Sequence, residues 1–170
     1  NGANEPIVRI ALDSTPEPGY QSKFLWVGDL DGDGEYDYVI DRLAPYVEGS
    51  NEDLGTAQQF LEAYRRDGTR LWRIGLGPGS LNTYNVKPGP TTLSVGMYDG
   101  ATVYDLNGDG KAEVLLKAPD GVTFGDGSVF QNAEPGKQFI AIIDGMTGAP
   151  LATHPFPDDF FAQAGPYGTQ

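Results

Sequence analysis

Apolar residues in this chain come in short runs set between clusters of Gly, Pro, Asp and Asn. Tyr36-Asp37-Tyr38-Val39-Ile40-Asp41 is aromatic and β-branched, and its polarity partly alternates, which predicts a strand. Glu113-Val114-Leu115-Leu116-Lys117 is a shorter apolar run that periodicity alone does not assign. Residues from Phe60 to Ile74 read as strand, turn and strand. Residues from Phe139 to Ala152 repeat that design around Asp144-Gly145-Met146-Thr147-Gly148, whose glycines suit the positive φ angles of a tight turn. Ile7-Val8-Arg9-Ile10-Ala11-Leu12 is a candidate for one more strand.

Two of these runs follow acidic loops that match one another. The first loop is Asp29-Leu30-Asp31-Gly32-Asp33-Gly34-Glu35-Tyr36-Asp37, and the second is Asp105-Leu106-Asn107-Gly108-Asp109-Gly110-Lys111-Ala112-Glu113. Each has a carboxylate or amide at positions 1, 3, 5 and 9 and Gly at positions 4 and 6. A hard cation such as Ca²⁺ takes about six to eight oxygens from carboxylates, amides and carbonyls. Alternating acids aim several oxygens inward, and Gly lets the backbone turn around the ion. Position 7, Glu35 or Lys111, then offers its main-chain carbonyl, a role that a lysine can fill. The candidate ligands are therefore Asp29, Asp31, Asp33, Glu35 and Asp37, and Asp105, Asn107, Asp109, Lys111 and Glu113, for at least two Ca²⁺ ions. An EF-hand would run into a helix and carry Glu at position 12, where Ile40 and Leu116 stand. The loops thus lie between strands. The competing reading is a metal-free acidic β-turn, since Asp-Gly is a strong hairpin signal.

Composition narrows the partners. The chain has 170 residues, enough for one ordinary domain with a core. Its formal net charge of −13 argues against nucleic acid, whose phosphates need a basic face. With 24 Gly and 13 Pro the chain is rich in loops and unsuited to long helices, yet 39% hydrophobic residues is too many for a disordered chain. It has no Cys, so disulfides do not hold it together. No apolar run approaches the ~20 residues of a membrane span, and no signal peptide is present in the sequence. Static calcium loops suit a secreted or periplasmic setting, because cytosolic Ca²⁺ is scarce.

The loops begin 76 positions apart, at Asp29 and Asp105, and each is followed by one of the paired runs described above. The repeating unit is a hairpin with a calcium loop, a variable insertion, and a hairpin with an Asp-Gly turn. Four short strands per unit predict an all-β fold built of β-propeller blades, although a blade usually spans ~40–50 residues. The excess length falls in insertions at residues 43–59, 75–93 and 119–138. The implied divisions are a lead-in over 1–19, a first blade over 20–77, a connecting insertion over 78–97, a second blade over 98–156 and the start of a further connection over 157–170. Two blades do not close a propeller, which usually takes about four to eight. Completion then falls to the remainder of the propeller, on the same or a separate chain, or to self-association through open strand edges.

The ordered series Trp26-Val27-Gly28-Asp29 through Asp37, Glu62-Ala63-Tyr64, Asp67-Gly68-Thr69, Leu71-Trp72-Arg73-Ile74, Leu76-Gly77, Val103 through Val114, Gly121-Val122-Thr123-Phe124-Gly125-Asp126-Gly127 and Asp144 through Gly148 closely resembles the early propeller of family 11 rhamnogalacturonan lyases, over roughly residues 20–156. The resemblance implies about two four-stranded antiparallel blades from the N-terminal portion of an eight-bladed propeller holding several calcium ions. It also implies a secreted, calcium-dependent enzyme that cleaves the rhamnose–galacturonate backbone of pectin by β-elimination. In such an enzyme a base removes the C5 proton beside the carboxyl group, and a cation stabilises the charge that develops. The resemblance places most of that machinery in later blades, so this chain alone is expected to be inactive and its catalytic residues are unassigned. The flanks of the first loop, Lys23 and Asp41-Arg42-Leu43, depart from the family's residues. Arg42 is the candidate to grip a galacturonate carboxylate, against the plainer reading of a surface Arg paired with a nearby Asp.

The remaining residues point to structure. His154 is the single histidine and stands at a strand end. Trp26, Trp72, Phe24, Phe60 and Phe139 lie in or beside strands, which favours core packing over a sugar platform. No nucleophile elbow, phosphate loop or zinc spacing occurs. The alternative function is a non-catalytic calcium-binding propeller module for adhesion, carbohydrate binding or assembly. Either way the expected partners are a pectic polysaccharide and further propeller, with neither nucleic acid nor membrane.

Overall fold

The strands of the structure pair with their neighbours in sequence. The computed structural model describes residues 9–12, 20–22, 24–43, 58–77, 80, 100–118, 120–131 and 139–155. Eight strands occur there: β1 Leu25–Gly28, β2 Asp37–Arg42, β3 Phe60–Tyr64, β4 Arg70–Gly75, β5 Thr102–Tyr104, β6 Glu113–Ala118, β7 Phe139–Ile143 and β8 Pro150–Pro155. They form two four-stranded antiparallel sheets, ordered β1-β2-β3-β4 and β5-β6-β7-β8. No helix occurs among the described residues. The ambiguous run at Glu113 is a strand, fixed by pairing on both sides. Residues 9–12 join no strand, and the other residues of that candidate, Ile7 and Val8, lie outside the described residues. So do Lys23, most of the first two insertions, residues 119 and 132–138 of the third, and the tail from residue 156.

The two sheets are built alike. Gly28 pairs with Asp37 where Tyr104 pairs with Glu113, so each acidic loop closes the first hairpin of its sheet. The outer hairpins both carry a register shift just before the turn, at Ala63/Tyr64 and at Ile142/Ile143.

Strand pleating decides which residues meet. Val39, Ala63 and Trp72 are mutual cross-strand partners on one face of the first sheet, with Leu61 and Ile74 beside them. Val103, Val114 and Ile143 are partners on one face of the second, with Leu116 and Ala141 beside them. All of these belong to one apolar core, except Val103, which is partly buried and packs against it. Burial of each Val, Leu or Ile there contributes about 1.5–3 kcal/mol. Val39 and Leu115 hold the same position after their loops, whereas Val114 corresponds to Tyr38. The core therefore joins one face of the first sheet to the opposite face of the second, and the sheets stack head to tail. Gly28 permits that approach, since a Cβ there would lie 2.5 Å from Val103 Cγ1 and 3.1 Å from the Ala112 Cβ.

Candidate metal centre

The acidic loops share one hydrogen-bond pattern. In the first, Asp29 accepts from the amides of Gly32 and Asp33 on Oδ1 and of Gly34 on Oδ2, at 2.7, 3.1 and 2.8 Å. In the second, Asp105 accepts from Gly108, Asp109 and Gly110 at 2.6, 3.1 and 2.9 Å. Position 3 accepts from the amide of position 5 and position 5 from that of position 7 in both loops. The carboxylate at position 9 accepts from the amide of position 2, Leu30 to Asp37 at 3.1 Å and Leu106 to Glu113 at 2.8 Å. The chain can curl this tightly because Gly32, Gly34, Gly108 and Gly110 all have φ between 79° and 90°.

The donor sets suit a hard cation, and the first suits it better. Carboxylate oxygens of Asp29, Asp31 and Asp37 lie within 4.8 Å of one another. That convergence of three acids is costly unless a positive charge joins them. Burial raises the Asp37 carboxyl above its ordinary value, the Leu30 amide opposes this, and the nearby Asp31 and Asp33 charges raise it further. In the second loop the Asn107 NH₂ sits between carboxylates, 2.9 Å from Glu113 Oε1 and 3.1 Å from Asp109 Oδ2. The Asp105 carboxyl is lowered there, chiefly by the Gly110 amide. At position 7 neither side chain turns into its own loop. Glu35 pairs with Arg66, and the Lys111 stem lies against Gly32 of the other loop.

Residues that sequence reasoning overlooked complete the first loop. Arg65 Nε stands 3.1 Å from Asp31 Oδ2, and the Arg66 amide donates to Asp37 Oδ1 at 3.3 Å. Both arginines come from the β3–β4 turn, which the strand pairing carries alongside the loop. Their adjacency to an Asp-Gly turn was visible, but not the direction in which they fold back.

Arg42 has found its carboxylate inside the fold. Its Nη1 lies 2.7 Å from Glu62 Oε2, and the side chain is buried. It is buried and paired with a Glu, which corrects the plainer reading of a surface residue. Glu62, fully buried, also accepts from Tyr64 Oη at 2.8 Å and Arg73 Nε at 2.7 Å. The aromatic residues divide. Trp72 and Phe139 are buried in the core and Trp26 packs on it, while Phe60 lies against Tyr20 and Arg73. His154 is exposed on β8, with Nδ1 2.7 Å from the Pro155 carbonyl.

Comparison with known proteins agrees with this architecture. Residues 13–160 match the sequence profile of the C-terminal domain of rhamnogalacturonan lyase family 11. The chain is 34% identical over 148 residues to the rhamnogalacturonan endolyase YesW of Bacillus subtilis, covering 81% of this chain and 22% of that protein. It is also 34% identical over 145 residues to the exolyase YesX of the same organism, covering 79% of this chain and 22% of YesX. The crystal structure of YesW superposes with a TM-score of 0.64 at 33% identity, over 81% of this chain and 23% of YesW. The Bacillus licheniformis lyase PL11 superposes with the same score at 32% identity, over 85% of this chain and 25% of its own. The chain thus spans less than a quarter of the length of the curated relatives that it matches.

Proposed function

This chain belongs to rhamnogalacturonan lyase family 11, and on that premise we propose that it forms two adjacent β-propeller blades of a secreted polysaccharide lyase. The observation that carries this reading is the head-to-tail stack. Repeats joined front to back leave one unfilled face at each end, and such contacts close into a ring when the rotation allows. The far face of the first sheet has exposed Leu25 and Val27 and a hollow of about 370 Å³ lined by Ile10, Leu12, Ser22, Phe24, Tyr38 and Ile40. The far face of the second carries exposed Tyr104, and its loop carries exposed Leu106. These surfaces suit further blades.

In this reading the acidic loops hold calcium. Asp29, Asp31, Asp33 and Asp37, with the carbonyl of Glu35, would hold one ion. Asp105, Asn107, Asp109 and Glu113, with the carbonyl of Lys111, would hold the other once the Asn107 amide turns. A bound Ca²⁺ supplies charge and a geometric anchor for the turn. The ion would offset the charge of the loop carboxylates, and the loop residues would fix the entry into β2 and β6. The requirement for Ca²⁺ favours a compartment outside the cytosol.

The whole protein would act on rhamnogalacturonan by eliminating across the galacturonate ring. Proton removal beside a carboxyl group needs a base and a stabilising cation over the sugar. The blades described here supply the frame that positions later segments. The chain is equally identical to an endolyase and to an exolyase, so overall identity favours neither mode of attack. The test is the ultraviolet absorbance of unsaturated uronate released from rhamnogalacturonan. The complete protein is expected to release it and the 170-residue chain alone is not. A complete protein that binds the polymer without cleaving it would favour the non-catalytic module instead.

A further inference from the structure

The two acidic loops have the same internal bonds but stand in different places relative to the seam between the sheets. The Asp29 carbonyl accepts from the Ala112 amide at 2.7 Å, which ties the first loop to the second repeat. Leu30 is 0% exposed, and a Cβ on Gly145 would come within 2.9 Å of its Cδ2 and would overlap the Ala112 carbonyl. Leu30 therefore fills a socket made by the second repeat's loop and its Asp-Gly turn. A Cβ on Gly32 would lie 3.1 Å from Lys111 Cγ and 3.4 Å from its Cε, so the lysine stem lies over the first loop's turn. In the second loop Leu106, the counterpart of Leu30, is 46% exposed.

The same residues reach the candidate ligands. The Leu30 amide donates to Asp37 Oδ2, and Asp29 is both ligand and acceptor across the seam. We infer that the first loop is an ion-operated clasp: a cation drawing Asp29, Asp31 and Asp37 together fixes Leu30 in its socket and closes the seam, whereas Leu106, the matching residue of the second loop, plays no such part. The inference rests on the calcium reading given above. Ion binding and seam closure are then linked, so opening the seam must weaken the ion by the same factor that the ion strengthens the seam.

Trp72 reports the seam, because its Nε1 donates to the Gly145 carbonyl at 2.7 Å. Trp26 is the only other tryptophan. In a Trp26→Phe chain, Ca²⁺ should change the Trp72 emission. Asp31→Ala should abolish that response, and Asn107→Ala should preserve it. Calorimetric Ca²⁺ titration gives the second readout. With the second loop disabled by Asn107→Ala, Leu30→Ala should weaken the remaining site about tenfold, a typical coupling factor. Lys111→Ala, which removes only the stem over Gly32, should weaken it in the same direction and serves where Leu30→Ala fails to fold. With the first loop disabled by Asp31→Ala, Leu106→Ala should leave the second site unchanged. A Trp72 response that survives Asp31→Ala, or first-site affinity indifferent to both Leu30→Ala and Lys111→Ala, overturns the clasp while leaving the calcium reading intact. A chain that takes up no Ca²⁺ at all overturns both.

Discussion

The indole Nε1 of Trp72 donates to the main-chain carbonyl of Gly145 at 2.7 Å, across the seam between the two sheets. Trp72→Phe keeps most of the apolar volume but strands that buried carbonyl. It is expected to cost about 1–3 kcal/mol of unfolding free energy. Trp72→Ala adds a cavity and should cost about 3–5 kcal/mol. Urea unfolding of the chain checks both, with the midpoint falling while the slope stays constant for the milder variant.

The ring face of Trp72 leaves no room at Gly148. A Cβ there would lie 2.8 Å from Trp72 Cγ, and Gly148 has φ of 67°. Gly148→Ala should therefore destabilise more than Gly127→Ala, where φ is 83° but nothing lies within 4 Å. The backbone penalty alone is about 1–2 kcal/mol. Equal midpoints for the two variants would contradict the close contact.

Glu62 balances two guanidinium groups in a buried site. Glu62→Gln leaves those charges without their anion and should cost about 3–5 kcal/mol. Arg42→Ala should lower the melting temperature for the same reason. A normal melting temperature combined with lost polymer binding would instead return Arg42 to a substrate role.

Two exposed turn carboxylates, with Asp105, contribute to the acid side of the stability curve. Asp67 is held below its ordinary value by the Thr69 amide, and Asp126 by the Ser128 hydroxyl and amide. A carboxylate with a depressed folded pKa contributes stability that is present above the unfolded value of 3.8 and is lost as pH falls through the folded value. Stability should thus decline below about pH 4. Asp67→Asn and Asp126→Asn should each make that decline shallower in denaturant titrations at successive pH values.

All-oxygen donor sets that offer both side-chain and main-chain oxygens favour Ca²⁺ over Mg²⁺, which demands a tighter octahedron and keeps its waters. At equal concentration Ca²⁺ should raise the melting temperature more than Mg²⁺, and a chelator should reverse the gain. A hundredfold excess over the dissociation constant corresponds to about 2.7 kcal/mol per site. A melting temperature indifferent to both ions would refute metal binding by these loops.

The parts legible in the sequence are those set by local chemistry. Asp-Gly turns and the runs at Tyr36, Phe60 and Phe139 announced their hairpins because strand, turn and pairing lie within a few residues of each other. The run at Glu113 is undecided in the sequence because only its cross-strand partners, Thr102–Tyr104 on one side and Phe139–Ile143 on the other, make it a strand. The fate of Arg42 was hidden for a different reason. Glu62 comes alongside it only through the β2–β3 register, across an insertion with no pattern of its own. Leu30 and Leu106 show the limit most clearly. They occupy one position in one motif, yet one is buried and the other exposed. Burial at that position belongs to the neighbouring repeat and is not written in the motif.

Gly28 and Tyr104 stand at matching points in the two sheets, and this gives the repeats a fixed order. Glycine admits Val103 of the next repeat, while tyrosine at the same place would exclude a valine held that closely. Exchanging the two units by circular permutation or gene shuffling would drive the Tyr104 ring into its new neighbour. Modules that share one loop motif thereby differ at the face where they meet, and the stack has a direction.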